Sequence, residues 1–211
     1  MKTLMAVEPD ERLAAFIQHN YKPYSKKQSF GRSLCLLAVG MICCFFGGMS
    51  CAWICINSAV FMSYIISVII NNKNNKCSMN QRFLEDGVFS LTMAIELMLF
   101  SYNVFTFESG ENILLLLLML FLLALCIVLF RINIHINIVK DRYNKSQEPK
   151  LFSAFIILAA AGVLFGRVFL QDLSQQAALS SVAVTLFVLS LLMGSGSLNL
   201  LKIRYKKMLD T

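Results

Sequence analysis

Residues 33–70 read SLCLLAVGMICCFFGGMSCAWICINSAVFMSYIISVII, and the residues that follow, 71–86, read NNKNNKCSMNQRFLED. The first stretch has no charged residue and is too long for one membrane helix, because about 20 residues cross the hydrocarbon core. Gly47-Gly48-Met49-Ser50 interrupts it where a helix breaks readily, so two spans are expected, 33–48 and 52–70. Both are short enough that tilt or local thinning of the bilayer is expected. The second stretch is polar and carries Lys73, Lys76 and Arg82. This order, two apolar runs and then a basic segment, recurs along the chain. All but Arg131 and Arg167 of the 19 Lys and Arg residues fall in 1–32, 71–86, 139–150 and 201–211. The connectors near 47–52, 106–112 and 171–178 have none, and Glu108, Glu111 and Asp172 lie in two of them. Short loops rich in Lys and Arg stay on the cytoplasmic side. The expected fold is therefore all-α and polytopic, with six transmembrane helices as three consecutive hairpins and N- and C-termini cytoplasmic. The expected spans are 33–48, 52–70, 87–106, 112–130, 151–170 and 179–199. One long kinked helix over 33–70 would reverse everything downstream, against the charge pattern.

Composition agrees. The chain of 211 residues is 57% hydrophobic, above ordinary soluble usage. The spans use more than half of it, and no remaining segment is long enough for a separate soluble core. The net charge of +7 borders the apolar segments, so anionic headgroups and orientation account for it and nucleic acid is not expected. The expected partners are the lipid bilayer and either further copies of the chain or another protein, and the expected location is a cell membrane, multi-pass. The first apolar run begins near Leu34, behind Glu8, Asp10 and Glu11, so an anchor rather than a cleaved signal is expected. Of the seven cysteines, Cys35, Cys43, Cys44, Cys51, Cys55 and Cys126 fall in apolar stretches. Cys77 falls in a loop expected in the cytoplasm. An odd count without a loop framework argues against disulfides.

The segments outside the spans are short. In the cytoplasmic N-terminal segment 1–32, Glu8-Pro9-Asp10-Glu11 resembles a helix start, with acids at the positive end of the dipole. Leu13, Phe16 and Ile17 follow on one face. This predicts either a short amphipathic helix on the membrane surface or an ordinary tail with a turn or two of helix. Residues 131–138, RINIHINI, alternate with period two, but a lone strand at a membrane surface has no partner. A helix continuing out of the bilayer is expected instead, with Arg131 and His135 on one face. The basic tail 201–211 closes the chain. Asn137, Lys140, Arg142, Tyr143 and Lys145 recur at the same offsets as Asn199, Lys202, Arg204, Tyr205 and Lys207. Either the hairpins are repeats or both segments have the composition of a cytoplasmic membrane boundary.

Glu96 is the sharpest candidate for chemistry. It lies near the centre of the third expected span, where a carboxylate costs several kcal/mol unless paired, hydrated or protonated. It reads as a cation or proton site, or as a packing residue hydrogen-bonded to a neighbouring helix. Arg167, near the outer end of the fifth span, is a candidate partner if the third and fifth spans touch; snorkelling to the interface also accounts for it. Asn57 with Ser58 in the second span, and Asn103 in the third, add polar groups that interhelical hydrogen bonds can satisfy. Small residues at Gly40, Cys44, Gly47, Gly48, Cys51 and Cys55, at 159–162 and at 194–197 suit close helix contact.

Metal, cofactor and nucleophile readings find little support. Cys51 and Cys55 are four apart, but a structural zinc site needs four ligands and the only histidines are His19 and His135. Cys77 lacks a local base, and no phosphate loop, HExxH or GxSxG motif is present. No cofactor and no enzymatic activity are expected. Two functions then compete. One is a small transporter or the membrane subunit of a transport complex, supported by six spans and the buried Glu96. The other is a non-enzymatic accessory, such as an immunity, defence or channel-forming protein, acting by association.

Overall fold

The computed structural model describes residues 9–19, 26–48, 50–74, 78–110, 112–140 and 175–209. Every regular element among them is helical: α1 (Pro9–Gln18), α2 (Lys26–Phe46), α3 (Cys51–Asn74), α4 (Ser78–Ser109), α5 (Ile113–Val139), α6 (Gln175–Gly196) and α7 (Asn199–Leu209). Among the described residues, five segments are long and apolar enough to cross a membrane: Lys27–Phe46, Cys51–Ile70, Met79–Phe107, Ile113–Val139 and Gln176–Leu209. This is the architecture of a multi-pass α-helical membrane protein. The expected fifth span, 151–170, lies outside the described residues, as do Arg167, Asp172, Glu111, Cys77 and the small-residue stretch 159–162.

The chain turns where its glycines allow. α2 ends at Phe46, and Gly48 takes φ +67, a left-handed conformation open to glycine at little cost. A Cβ on Gly47 would lie 2.8 Å from both the Asn103 amide and the Trp53 ring, so this turn approaches α4 too closely for any side chain. Between α4 and α5, Gly110 is again left-handed, at φ +81. Asn112 then caps α5, its side chain accepting from the Leu114 and Leu115 amides at 3.1 and 3.2 Å. Residues 131–138 continue α5 as helix, and Arg131 and His135 are both exposed.

α4 is the centre of the bundle, touching α2, α3, α5, α6 and α7. More than half of its span is buried, against less than a third of any other. The contacts give the helix directions. α2 runs alongside α4 in the same sense, with Arg32 beside Glu85 and Phe46 beside Phe100. α3 runs back, with Trp53 against Tyr102 and Tyr64 against Phe89. α6 opposes α4: Ser101 meets Ala183, Ala94 meets Ser190, and Gly87 lies against Leu200. α5 runs with α6, since Leu123 lies against Gly194 while Ile134 and Ile138 join Ile203 and Tyr205.

The α4–α6 contact is close because both faces are small. Gly87, Ala94 and Ser101 recur every seven residues on α4, and Ala183, Ser190 and Ser197 do so on the opposing chain. Seven residues are nearly two turns, so each set forms one stripe. In membranes such stripes let backbones approach, because packing and hydrogen bonds hold helices together there. Ser101 Oγ donates to the Ala183 carbonyl at 2.6 Å, and Ser190 Oγ donates to the Ala94 carbonyl at 2.7 Å.

At the end of the bundle where α2 and α4 begin, α1 settles onto protein. Phe16 and Ile17 are buried with Phe83 and Ile138, while Leu13, Ile203, Tyr205 and Leu209 pack around them. Arg12 donates to the Val139 carbonyl at the end of α5, at 2.9 Å, and Lys202 of α7 donates to the His19 carbonyl at 2.7 Å. The apolar face of α1 is thus spent on α4, α5 and α7 rather than on lipid.

A Cβ on Gly196 would collide with the Ser90 side chain. Gly196→Ala is expected to cost about 1–3 kcal/mol of stability through overpacking. Ser90→Gly in the same chain should restore most of the lost melting temperature in detergent. A G196A variant as stable as wild type would refute the close α4–α6 approach.

Candidate functional site

α4 has two faces. The small stripe that meets α6 occupies one. On the opposite side lie Glu85, Thr92, Glu96 and Asn103, separated by seven, four and seven residues and so aligned along the helix. Glu85, Glu96 and Asn103 all lie where α2 or α3 covers them.

Glu96 is fully buried, at 0% exposure. Gly40 of α2 faces it, and a Cβ there would lie 3.6 Å from one carboxylate oxygen, so the missing side chain leaves room for the carboxyl group. Neither oxygen has a hydrogen-bond partner among the described residues. The Cys43 thiol, one turn along α2, is also fully buried and neighbours Glu96, Asn57 and Asn103. Asn103 donates to the Cys43 carbonyl at 3.0 Å. Asn57, 4% exposed on α3, donates to the Trp53 carbonyl at 2.8 Å, and its side-chain oxygen has no donor among the described residues. Three of the four residues expected to matter, Glu96, Asn57 and Asn103, therefore gather around Cys43. Arg167 lies outside the described residues.

A second polar cluster was not anticipated from the chain. Residues 71–86 read as a loop, yet α4 begins at Ser78 and carries Arg82, Glu85 and Asp86 into the bundle. Likewise α2 begins at Lys26, so Arg32 is helical. Arg32 pairs with Glu85 at 3.2 Å and also with Asp86, and Arg82 pairs with Asp86 at 2.9 Å. Arg82 also donates to Gln28 at 2.7 Å, and the Tyr64 hydroxyl reaches Glu85 at 3.5 Å. Glu85 is 1% exposed and Arg82 5% exposed. The helix can extend here because each charge meets an opposite one; unpaired, these groups would keep the segment in water. The available signal was spacing. Glu85 stands eleven residues before Glu96 on the same face, and Arg82 stands four before Asp86.

Among the described residues no three His, Cys, Asp or Glu side chains come together to hold a metal ion. The six described cysteines are free thiols. Comparison with protein families, curated proteins and solved structures gives no match.

The two carboxylates of the polar face differ in what surrounds them. Glu85 sits in a balanced ionic cluster of two cations and two anions, and Glu96 faces acceptors and a thiol. Arg32→Ala should therefore destabilise the protein by about 3–5 kcal/mol, since it leaves buried carboxylates uncompensated. Arg32→Gln combined with Glu85→Gln removes one charge of each sign and should cost far less. Thermal unfolding of the purified protein would show this order. Equal losses in the two variants would deny the pairing its structural weight.

Proposed function

We propose that the chain is a small membrane transporter, or the membrane subunit of a transport complex, in which Glu96 receives a proton or small cation. The observation that carries this reading is the Glu96 carboxylate, enclosed by α2 and α4 near the middle of the most buried helix and without a partner among the described residues. Intramembrane carboxylates are expensive, and a buried one that no described residue pairs with or hydrogen-bonds is a candidate for binding a proton or cation. A binding site that is incomplete until its ligand arrives has this appearance.

The proposed topology has six crossings with both termini cytoplasmic. α5 and α6 run in the same direction, so Lys140 and Gln175 lie at opposite ends of the bundle, which supports a crossing between them. The apolar stretch 151–170 is long enough to make that crossing within a membrane. Lys27, Arg32, Lys73, Arg82, Lys140, Lys202, Lys206 and Lys207 gather at the end where α1 and α7 lie, which supports a cytoplasmic position for that end.

Replacing Glu96 separates a ligand-binding carboxylate from a packing one. Glu96→Gln should insert and purify normally, with a melting temperature equal to or above wild type, because a buried amide costs less than an unpartnered carboxylate. In proteoliposomes, dicyclohexylcarbodiimide should label Glu96 of the wild-type chain and leave the Gln variant unlabelled, as read by peptide mass spectrometry. A clear fall in the melting temperature of Glu96→Gln, with no labelling of the wild type, would sink the transport reading and leave a structural hydrogen bond.

A further inference from the structure

Layers of different chemistry flank Glu96 on either side along α4. Toward the Lys- and Arg-rich end, the Phe89 ring meets Tyr64 edge-on, with centroids 6.0 Å apart, and the Arg32 guanidinium stands 5.0 Å from the Phe89 centroid. Arg32 continues the layer by pairing with Glu85 and Asp86. Phe89 lies seven residues before Glu96 on α4, so this layer sits about 10 Å below the carboxylate along the helix axis. Toward the opposite end, Phe46 packs on Phe100 and Phe107 at 5.4 and 5.8 Å, and Trp53 packs on Tyr102 at 5.7 Å.

The groups between the layers are acceptors. Both Glu96 oxygens and the Asn57 side-chain oxygen lack a donor among the described residues, whereas the amide groups of Asn57 and Asn103 already donate to the Trp53 and Cys43 carbonyls. Such a set of groups suits a positive charge and repels an anion. The room beside Glu96 is also small, since even a methyl group on Gly40 would touch the carboxylate.

We propose that the two layers are the gates of a small-cation site at Glu96, with an ionic gate at the Lys- and Arg-rich end and an aromatic gate at the other. This rests on the reading of Glu96 as the ligand. Arg32, Glu85 and Tyr64 form the working part of the ionic gate. When Arg32 leaves Glu85, the path along the polar face of α4 opens to water and cations on that side. The aromatic gate holds no ion pair and opens only by moving rings. The difference follows from what each layer exchanges on opening: the ionic gate trades its pairs for hydration, and the aromatic gate loses packing contacts.

Cys43 is a built-in reporter, because its thiol adjoins Glu96 and is 0% exposed. The test uses the full chain with Cys43 as its only cysteine, in sealed vesicles of either orientation. A membrane-impermeant trimethylammonium methanethiosulfonate is added outside, and Cys43 modification is followed by mass. The double variant Arg32→Gln/Glu85→Gln keeps the charge balance, and Tyr64→Phe provides a milder second opening. Both should speed modification from the Lys- and Arg-rich side, the double variant by about tenfold, and leave the other side within about twofold of wild type. Phe46→Ala should do the reverse. Sodium or potassium slowing the reaction in the opened variant identifies a metal cation, and indifference to both identifies the proton; slowing by acetate at equal cation concentration overturns a cation site. Equal acceleration from both sides, or no acceleration in correctly folded variants, overturns the gates, whatever Glu96→Gln does to stability.

Discussion

The structure depends on keeping the polar face of α4 away from lipid. Glu85, Glu96 and Asn103 align along one side of a helix long enough to cross a membrane. Carboxylates and amides exposed to hydrocarbon would each cost several kcal/mol. α2 and α3 cover that side, and α6 covers the opposite one through the small-residue stripe. The helix with the most polar groups is thus the most buried. α5, with its unbroken run from Leu114 to Leu118, is the least buried and turns Leu114, Leu117, Phe121, Val128 and Leu129 outward. In water the assignment would be reversed; in a membrane it is the one that leaves few polar groups without a protein neighbour.

Two glutamates on one face of one helix show how environment separates roles. Glu85 has Arg32 and the Tyr64 hydroxyl, within a cluster that Arg82, Asp86 and Gln28 complete. Glu96, about 16 Å further along the axis, has Gly40, a thiol and amides already committed to carbonyls. The first arrangement ties α2, α3 and α4 together at the charged end. The second makes no hydrogen bond or ion pair with any described residue, which is why it carries the functional proposal.

The charged end has its own device. Lys202 is 7% exposed, lies 5.3 and 5.2 Å from the centroids of the Phe16 and Phe83 rings, and donates to the last turn of α1. The ring faces and the negative end of the α1 dipole together stabilise the ammonium. Arg12 does the same for the end of α5. Two basic residues that read only as orientation signals are therefore also the fasteners of α1.

The chain by itself determined its class, the positions of most of its apolar helices, the break at Gly47–Ser50, and the placing of Glu96, Asn57 and Asn103 within apolar segments. Those follow from local rules: apolar length against bilayer thickness, glycine at left-handed turns, and the cost of a carboxylate in hydrocarbon. Only the tertiary structure decided where the helices begin at the charged end, which side of α4 each neighbour covers, and which polar groups have partners. Arg32, Glu85 and Asp86 read as loop charges because Arg32 lies more than fifty residues from the two carboxylates it pairs with. The heptad spacing of Gly87, Ala94 and Ser101 was present in the chain, but its meaning depended on an equally small stripe at Ala183, Ser190 and Ser197. A charge or a small side chain acquires its role from what is packed against it, and the periodicity of one helix does not contain the identity of the other.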